Sequence, residues 1–249
     1  MAPPGPPRFV HLEIVDSTNA EALRLVAAGE RGPLWVFADV QSSGKGRSGR
    51  SWTSQPGNFF ASFLTVLPGA PAKAYQISLV TGVAVAEALV ALSPRLTEAG
   101  LRLKWPNDIL IGRAKAGGIL VESTQLQGSG LAVVAGIGLN LGSHPSEELR
   151  PTAHLAAFGA ALTPQAVLTE LDHRLTHWLA VWSGGEGFAD VREAWLALSG
   201  PRGERLSVNS GAGPVEGFYQ GLDHDGALLL SGEDGNLRTY SYGDVTLVG

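Results

Sequence analysis

Gly44-Lys45-Gly46-Arg47-Ser48-Gly49-Arg50-Ser51-Trp52 puts three glycines and three cations into nine residues, shortly after an apolar run, Trp35 to Val40, that reads as a strand. The first six residues match G-x-G-x-x-G letter for letter, but a dinucleotide fingerprint needs a helix opening inside the glycines and a carboxylate about 20 residues on. Here the chain continues Thr53-Ser54-Gln55-Pro56-Gly57-Asn58, which does not start a helix, and positions 68 to 72 hold no acid. A phosphate-binding P-loop is excluded too, because Gly46 follows Gly44-Lys45 and the earlier glycine is missing. A doubly wound nucleotide fold is therefore not the reading. What remains is chemistry: glycines admit an anion to the backbone, while Lys45, Arg47 and Arg50 supply charge and forked donors for phosphate or carboxylate. A solvated basic hairpin tip is the plain alternative, and Trp52 speaks against it by offering a stacking wall beside the arginines.

On either side of this loop the chain alternates short elements. Phe9 to Val15 reads as a strand, and Thr18-x-x-Glu21 as a capping box opening a helix with Ala22, Leu23, Val26 and Ala27 inward, stopped by Gly29 and Gly32. After the loop from Gln41 to Asn58 come a strand, Phe59 to Leu67, and a helix, Ile77 to Leu92, ending at Pro94. Leu101 to Trp105 and Ile109 to Ile111 are extended around a Pro106-Asn107-Asp108 turn, and Gly118 to Glu122 and Leu131 to Leu139 are two further strands. From Pro164 the spacing is helical again, with Leu168, Leu171, Leu175, Trp178 and Trp182 on one stripe and Phe188, Val191, Trp195 and Leu198 on a second. Ser199 to Gly203 is a linker, after which alternating runs between Gly, Asp and Asn predict a small β-barrel. The expected organisation is an α+β domain over residues 1–200 and a small β domain over 201–249.

At 249 residues, 44% hydrophobic and 16% charged, the chain has a globular composition, and 23 acidic against 18 basic residues argue against broad nucleic-acid affinity. With no cysteine, disulfides, thiolate metal sites and a Cys nucleophile are excluded. The opening MAPPGPPRFV is no signal sequence and no 18-residue apolar run follows, so a soluble cytoplasmic protein is expected. His173 and His177 sit at i, i+4 without a third ligand, and Glu147-Glu148 read as solvated loop charges, so no metal site built from protein side chains alone is expected.

Three further segments carry chemistry. Lys104-Trp105-Pro106-Asn107-Asp108 sets a cation at a strand end and two polar side chains in a turn. Lys115-Ala116-Gly117-Gly118 aims an ammonium across a glycine-bared strand, and Gly136-Ile137-Gly138-Leu139-Asn140 bares alternate positions of another, on which something flat can lie. Together these suggest binding of an acidic small molecule and a nucleotide.

Asp16-Ser17-Thr18-Asn19, GKGRSGRSW, KWPNDI, KAGGILVE and GIGLN, in this order, resemble the biotin protein ligases, from about Val10 to the C-terminus. The resemblance implies a catalytic domain related to class II aminoacyl-tRNA synthetases with a C-terminal SH3-like barrel. It also implies ATP-dependent activation of biotin to biotinyl-5′-AMP, then transfer to a lysine of a biotin carboxyl carrier protein domain. Lipoate or octanoate ligation is the alternative. Carried over, Ser17, Thr18, Asn19, Gln41, Gly44, Gly117 and Gly118 would bind biotin, and Arg47 and Lys115 would hold its carboxylate and serve catalysis. Arg50, Trp52, Lys104, Asn107 and Asn140 would bind the nucleotide, with Mg2+ bridging its phosphates. Members that act as repressors carry about 60 residues of winged helix, for which the stretch before Asp16 has no room, so no DNA or membrane partner is expected; a homodimer is compatible with the sequence. Lys45 stands where many members carry Arg and Ser48 where a bulkier or basic residue often sits, which bears on how tightly the adenylate is retained. The loop, rich in Gly and Ser, is expected to be mobile without ligand.

Overall fold

The computed structural model describes residues 7–67, 73–127, 130–146, 151–211 and 213–248; Glu147 and Glu148 lie outside them. Seven strands form one mixed sheet: β1 (Arg8–Val15), β2 (Leu34–Gln41), β3 (Phe59–Leu67), β4 (Leu101–Lys104), β5 (Asp108–Ile111), β6 (Ala114–Gln125) and β7 (Leu131–Leu139). Their spatial order is β1-β2-β3-β7-β6-β5-β4, with β1 and β2 parallel and every other pair antiparallel. The sheet is covered on both faces, so its central strands read as continuous apolar runs. Along β2, Trp35 and Phe37 face the large core with α2 (Gln76–Leu92), α4 (Pro164–Trp182) and α5 (Phe188–Ala197), whereas Leu34 and Val36 face α1 (Thr18–Ala27). A one-turn helix, α3 (Arg95–Glu98), leads into β4. α2 is apolar nearly all round because it lies between the sheet and the other two long helices.

Ten residues of α1 cover only part of their face. Ala132 and Val134 of β7 lie beneath the helix, and the next residues of that face, Gly136 and Gly138, line a cleft at its N-terminus. The helix start differs from the capping box expected at Thr18-x-x-Glu21. Ser17 is the N-cap, with Oγ 3.5 Å from the Ala20 amide, and Glu21 pairs with Arg24. One residue of register releases Thr18 from capping and turns its side chain toward the cleft.

The remaining strands, β8 (Arg205–Asn209), β9 (Pro214–Leu222), β10 (Leu228–Ser231), β11 (Leu237–Tyr240) and β12 (Asp244–Leu247), make a five-stranded antiparallel sheet in the order β11-β10-β9-β8-β12. This matches the SH3-like unit expected after the linker. Arg102 clamps Glu204 through two 2.9 Å contacts, and the Trp105 indole donates to the Gly226 carbonyl at 3.1 Å, so the small sheet is fixed against the large one. Among the described residues no helix is long and apolar enough to cross a membrane.

Candidate active site

The cleft has a polar end and a cationic end. At the polar end the Thr18 amide donates to Gln41 Oε1 at 2.9 Å, while Ser62 Oγ, from β3, lies 2.7 Å from Thr18 Oγ1 and 2.6 Å from Asn19 Oδ1. The Asn19 amide nitrogen donates to the Leu120 carbonyl at 3.2 Å and to Glu122 at 2.8 Å. Both halves of that amide are thus committed to protein, although Asn19 lines the cleft beside Ser17, Thr18 and Gln41.

At the other end four cations converge. Lys104 and Lys115 grip Asp108 from two sides, at 2.8 and 2.5 Å. Burial pushes the Asp108 carboxyl up, but the two ammonium groups outweigh it and hold the group at about 2. The Arg47 guanidinium donates to Asn107 Oδ1 and to the Gly243 carbonyl, both at 3.2 Å, and Arg50 donates to Asp244 at 2.8 Å. Lys104 also donates to the Val245 carbonyl at 2.7 Å. Three consecutive residues at the start of β12 therefore satisfy three of the cations. Burial pulls Arg47 below its ordinary value, against the pull of Asp244 and Asp108.

Trp52 joins the two ends. A Cβ added to Gly138 would fall 2.6 Å from the indole, and one added to Gly118 would fall 3.5 Å from it and 3.3 Å from Lys115 Nζ. The glycine-bared face of β7 is therefore already occupied, Gly136 by Asn19 and Gly138 by Trp52. Trp52 Nε1 is buried against Gly138 and has no hydrogen-bond partner among the described residues. A Gly138→Ala variant is expected to push the indole off the sheet and weaken binding of the acid that the sequence resemblance implies, biotin, about tenfold, a change of about 1.4 kcal/mol; calorimetric titration showing an unchanged Kd would separate Trp52 from that site.

Of the residues expected in the site, Ser17, Thr18, Asn19, Gln41, Arg47, Arg50, Trp52, Lys104, Asn107, Lys115, Gly118 and Asn140 all line the cleft. Gly44 and Gly117 do not. The space beside Gly44 is taken by the Trp52 carbonyl, 2.7 Å from where a Cβ would stand, and that beside Gly117 by Leu139 and the Gly138 carbonyl. Asn107 holds Arg47 and the Ile119 carbonyl, and Asn140 donates to the Ala153 carbonyl at 3.0 Å, so each also braces the wall. The loop expected to be mobile without ligand has packing partners: Trp52 on β7, Arg47 and Arg50 on residues 243–244. The sequence reading missed Ser62, Asp244 and the function of Asp108. Only Asp108 carried a signal, as a carboxylate four residues from one lysine and seven from another.

Two family models match. Residues 12–140 match the biotin/lipoate A/B protein ligase family. The chain belongs to this family. Residues 203–248 match the biotin protein ligase C-terminal domain, which lies over the small sheet. A biotin–[acetyl-CoA-carboxylase] ligase of Paracoccus denitrificans is 37% identical over 227 residues, covering 88% of this chain and 92% of the relative. The bifunctional ligase/repressor BirA of Escherichia coli is 31% identical over 240 residues, covering 95% of this chain and 73% of the relative. The biotin protein ligase of Aquifex aeolicus, solved with biotin and ATP, superposes with a TM-score of 0.77 at 28% identity over 97% of this chain and 98% of that one. These relatives set the lipoate alternative aside and identify the chain as a biotin ligase with the fold the resemblance implied.

Proposed function

We propose that this chain activates biotin with ATP and transfers it to a lysine of a biotin carboxyl carrier protein domain, with the cleft residues in the following roles. A biotin carboxylate oxygen attacks the α-phosphorus, the bond to the bridging oxygen breaks, and pyrophosphate leaves. The carrier amine then attacks the acyl carbon of the mixed anhydride, gives up a proton, and AMP leaves. Two anions must first meet, so the demand is charge neutralisation and alignment. What carries the reading is the convergence of Arg47, Arg50, Lys104 and Lys115 on one end of a cleft whose other end is polar and uncharged.

In this assignment Thr18, Ser17 and Gln41 take the ureido ring, Lys115 and Arg47 hold the carboxylate and then the α-phosphate, and Arg50 and Lys104 take the remaining phosphates. Trp52 covers the junction. The carboxylates of the cleft do not make a cation cage: Asp108 is gripped by two lysines and Asp244 by Arg50, and no group of three metal-ligating side chains occurs among the described residues. In this reading Mg2+ would arrive with ATP, held by the nucleotide phosphates. The domain boundary is placed at residues 200/201.

Pyrophosphate release from MgATP, measured with biotin, with lipoate, with octanoate and with no acid, tests the activation step. Release is expected with biotin alone, with biotinyl-5′-AMP identified by mass on the protein. Release with lipoate but not biotin would overturn the assignment.

A further inference from the structure

We infer that Ser62 is a positioning residue for substrate recognition: through a one-directional hydrogen-bond chain it turns Thr18 Oγ1 into an acceptor facing the cleft. The inference deepens the reading of Thr18 as a contact to the ureido ring and rests on it. Its ground is a count of protons in a buried chain, since Ser62 is fully buried and Thr18 and Asn19 are 4% and 3% exposed.

The count starts at Asn19. Its amide nitrogen faces the Leu120 backbone carbonyl, which only accepts, and Glu122 on the same side. The orientation of the amide is therefore fixed, with Oδ1 toward Ser62. Gly136 makes this placement possible, since a Cβ there would stand 2.2 Å from Oδ1. Ser62 has one proton, and at 2.6 Å from a carbonyl oxygen that has nothing to donate, the proton must go to Asn19. Ser62 Oγ then accepts. The 2.7 Å contact to Thr18 Oγ1 is a hydrogen bond only if Thr18 donates it. The rival acceptor for the Thr18 hydroxyl, Gln41 Oε1, lies farther away at 3.2 Å and is already served by the Thr18 amide. With its single proton directed inward, Thr18 Oγ1 offers only lone pairs to the cleft it lines.

An acceptor fixed in this way selects a head group that brings an N–H. A ureido ring does so, whereas a dithiolane or an alkyl chain leaves the buried oxygen unpaired, and a site built for a hydrogen bond rejects an analogue lacking it strongly. Selection against lipoate-like acids thus lies in the direction of the chain.

A double-mutant cycle on the full chain tests this, read as Kd for biotin and for ATP by calorimetric titration. Ser62→Ala is expected to raise the biotin Kd about tenfold and leave the ATP Kd unchanged, the latter reporting an intact fold. In a Thr18→Val background, where no hydroxyl remains to be oriented, the same substitution is expected to change the biotin Kd less than twofold. An equal loss in both backgrounds would make Ser62 merely structural and overturn the inference. A Thr18→Val variant that binds biotin like the parent would instead overturn the ureido assignment beneath it.

Discussion

Lys115→Ala is expected to bring biotinyl-adenylate formation below detection while the protein stays folded. Lys115 Nζ is the most open member of its ion-paired cluster, its side chain 29% exposed against 13% for Lys104, and it stands where the glycine at 118 leaves the sheet bare. In the proposed reaction it would meet, at the α-phosphate, the charge that grows as the carboxylate attacks, and one preorganised donor of this kind is worth on the order of 10²–10³ in rate. The truncation also releases Asp108 from one of its two partners. Stability changes little, because Lys104 still neutralises the carboxylate at 2.8 Å. Single-turnover pyrophosphate release alongside a thermal melt checks both halves. A variant within tenfold of the parental rate would remove Lys115 from the chemistry.

Asp108→Asn is expected to show the opposite balance, a protein that loses stability first. The carboxylate is 11% exposed and stands between two ammonium groups, so removing its charge takes away the acid they share. Breaking a buried pair by removing one partner costs about 3 kcal/mol or more, which for a chain of this size lowers Tm by roughly 6–12 °C. The acid dependence follows with its sign. The folded carboxyl sits at about 2, below its unfolded value of 3.8, so its stabilising contribution is complete above roughly pH 4 and is lost as pH falls through 2. The variant lacks this part of the acid transition. Melting curves between pH 7 and pH 2 would refute the account if the two proteins differed by less than 2 °C at pH 7.

The two substitutions divide the cluster into a part for chemistry and a part for order. Asp108 fixes where the lysines stand, and in the proposed reaction an arriving biotin carboxylate or phosphate would compete for Lys115. The start of β12 does the same for the loop: the Gly243 and Val245 carbonyls and the Asp244 carboxylate satisfy Arg47, Lys104 and Arg50. Arg50 and Lys104 are the cations proposed for the nucleotide and Arg47 one of the two proposed for the carboxylate, and the small sheet lines the same cleft through Asp244 and Val245.

Much of this was legible in the residue order. The apolar periodicity of 77–92 and of the stripes after Pro164 placed the long helices, because burial of one face is a local property of spacing. The failed G-x-G-x-x-G and the cations at 45, 47, 50, 104 and 115 marked an anion site without a phosphate helix, since charge and glycine are visible letter by letter. Residue order alone did not place the helix cap at Ser17. Ser17 and Thr18 can each cap, and only packing of α1 on β2 and β7 decided between them. Nor did it reveal Asp244, 194 residues from Arg50, or Ser62, whose hydroxyl matters only because β3 brings it under the start of α1. Direct contacts of this kind depend on strand pairing and on how two sheets meet. The sequence by itself determined which residues carry charge, which carry none and where the chain must turn; the tertiary structure decided which carboxylate meets which cation and which way each buried proton points, because both depend on distances between segments far apart in the chain.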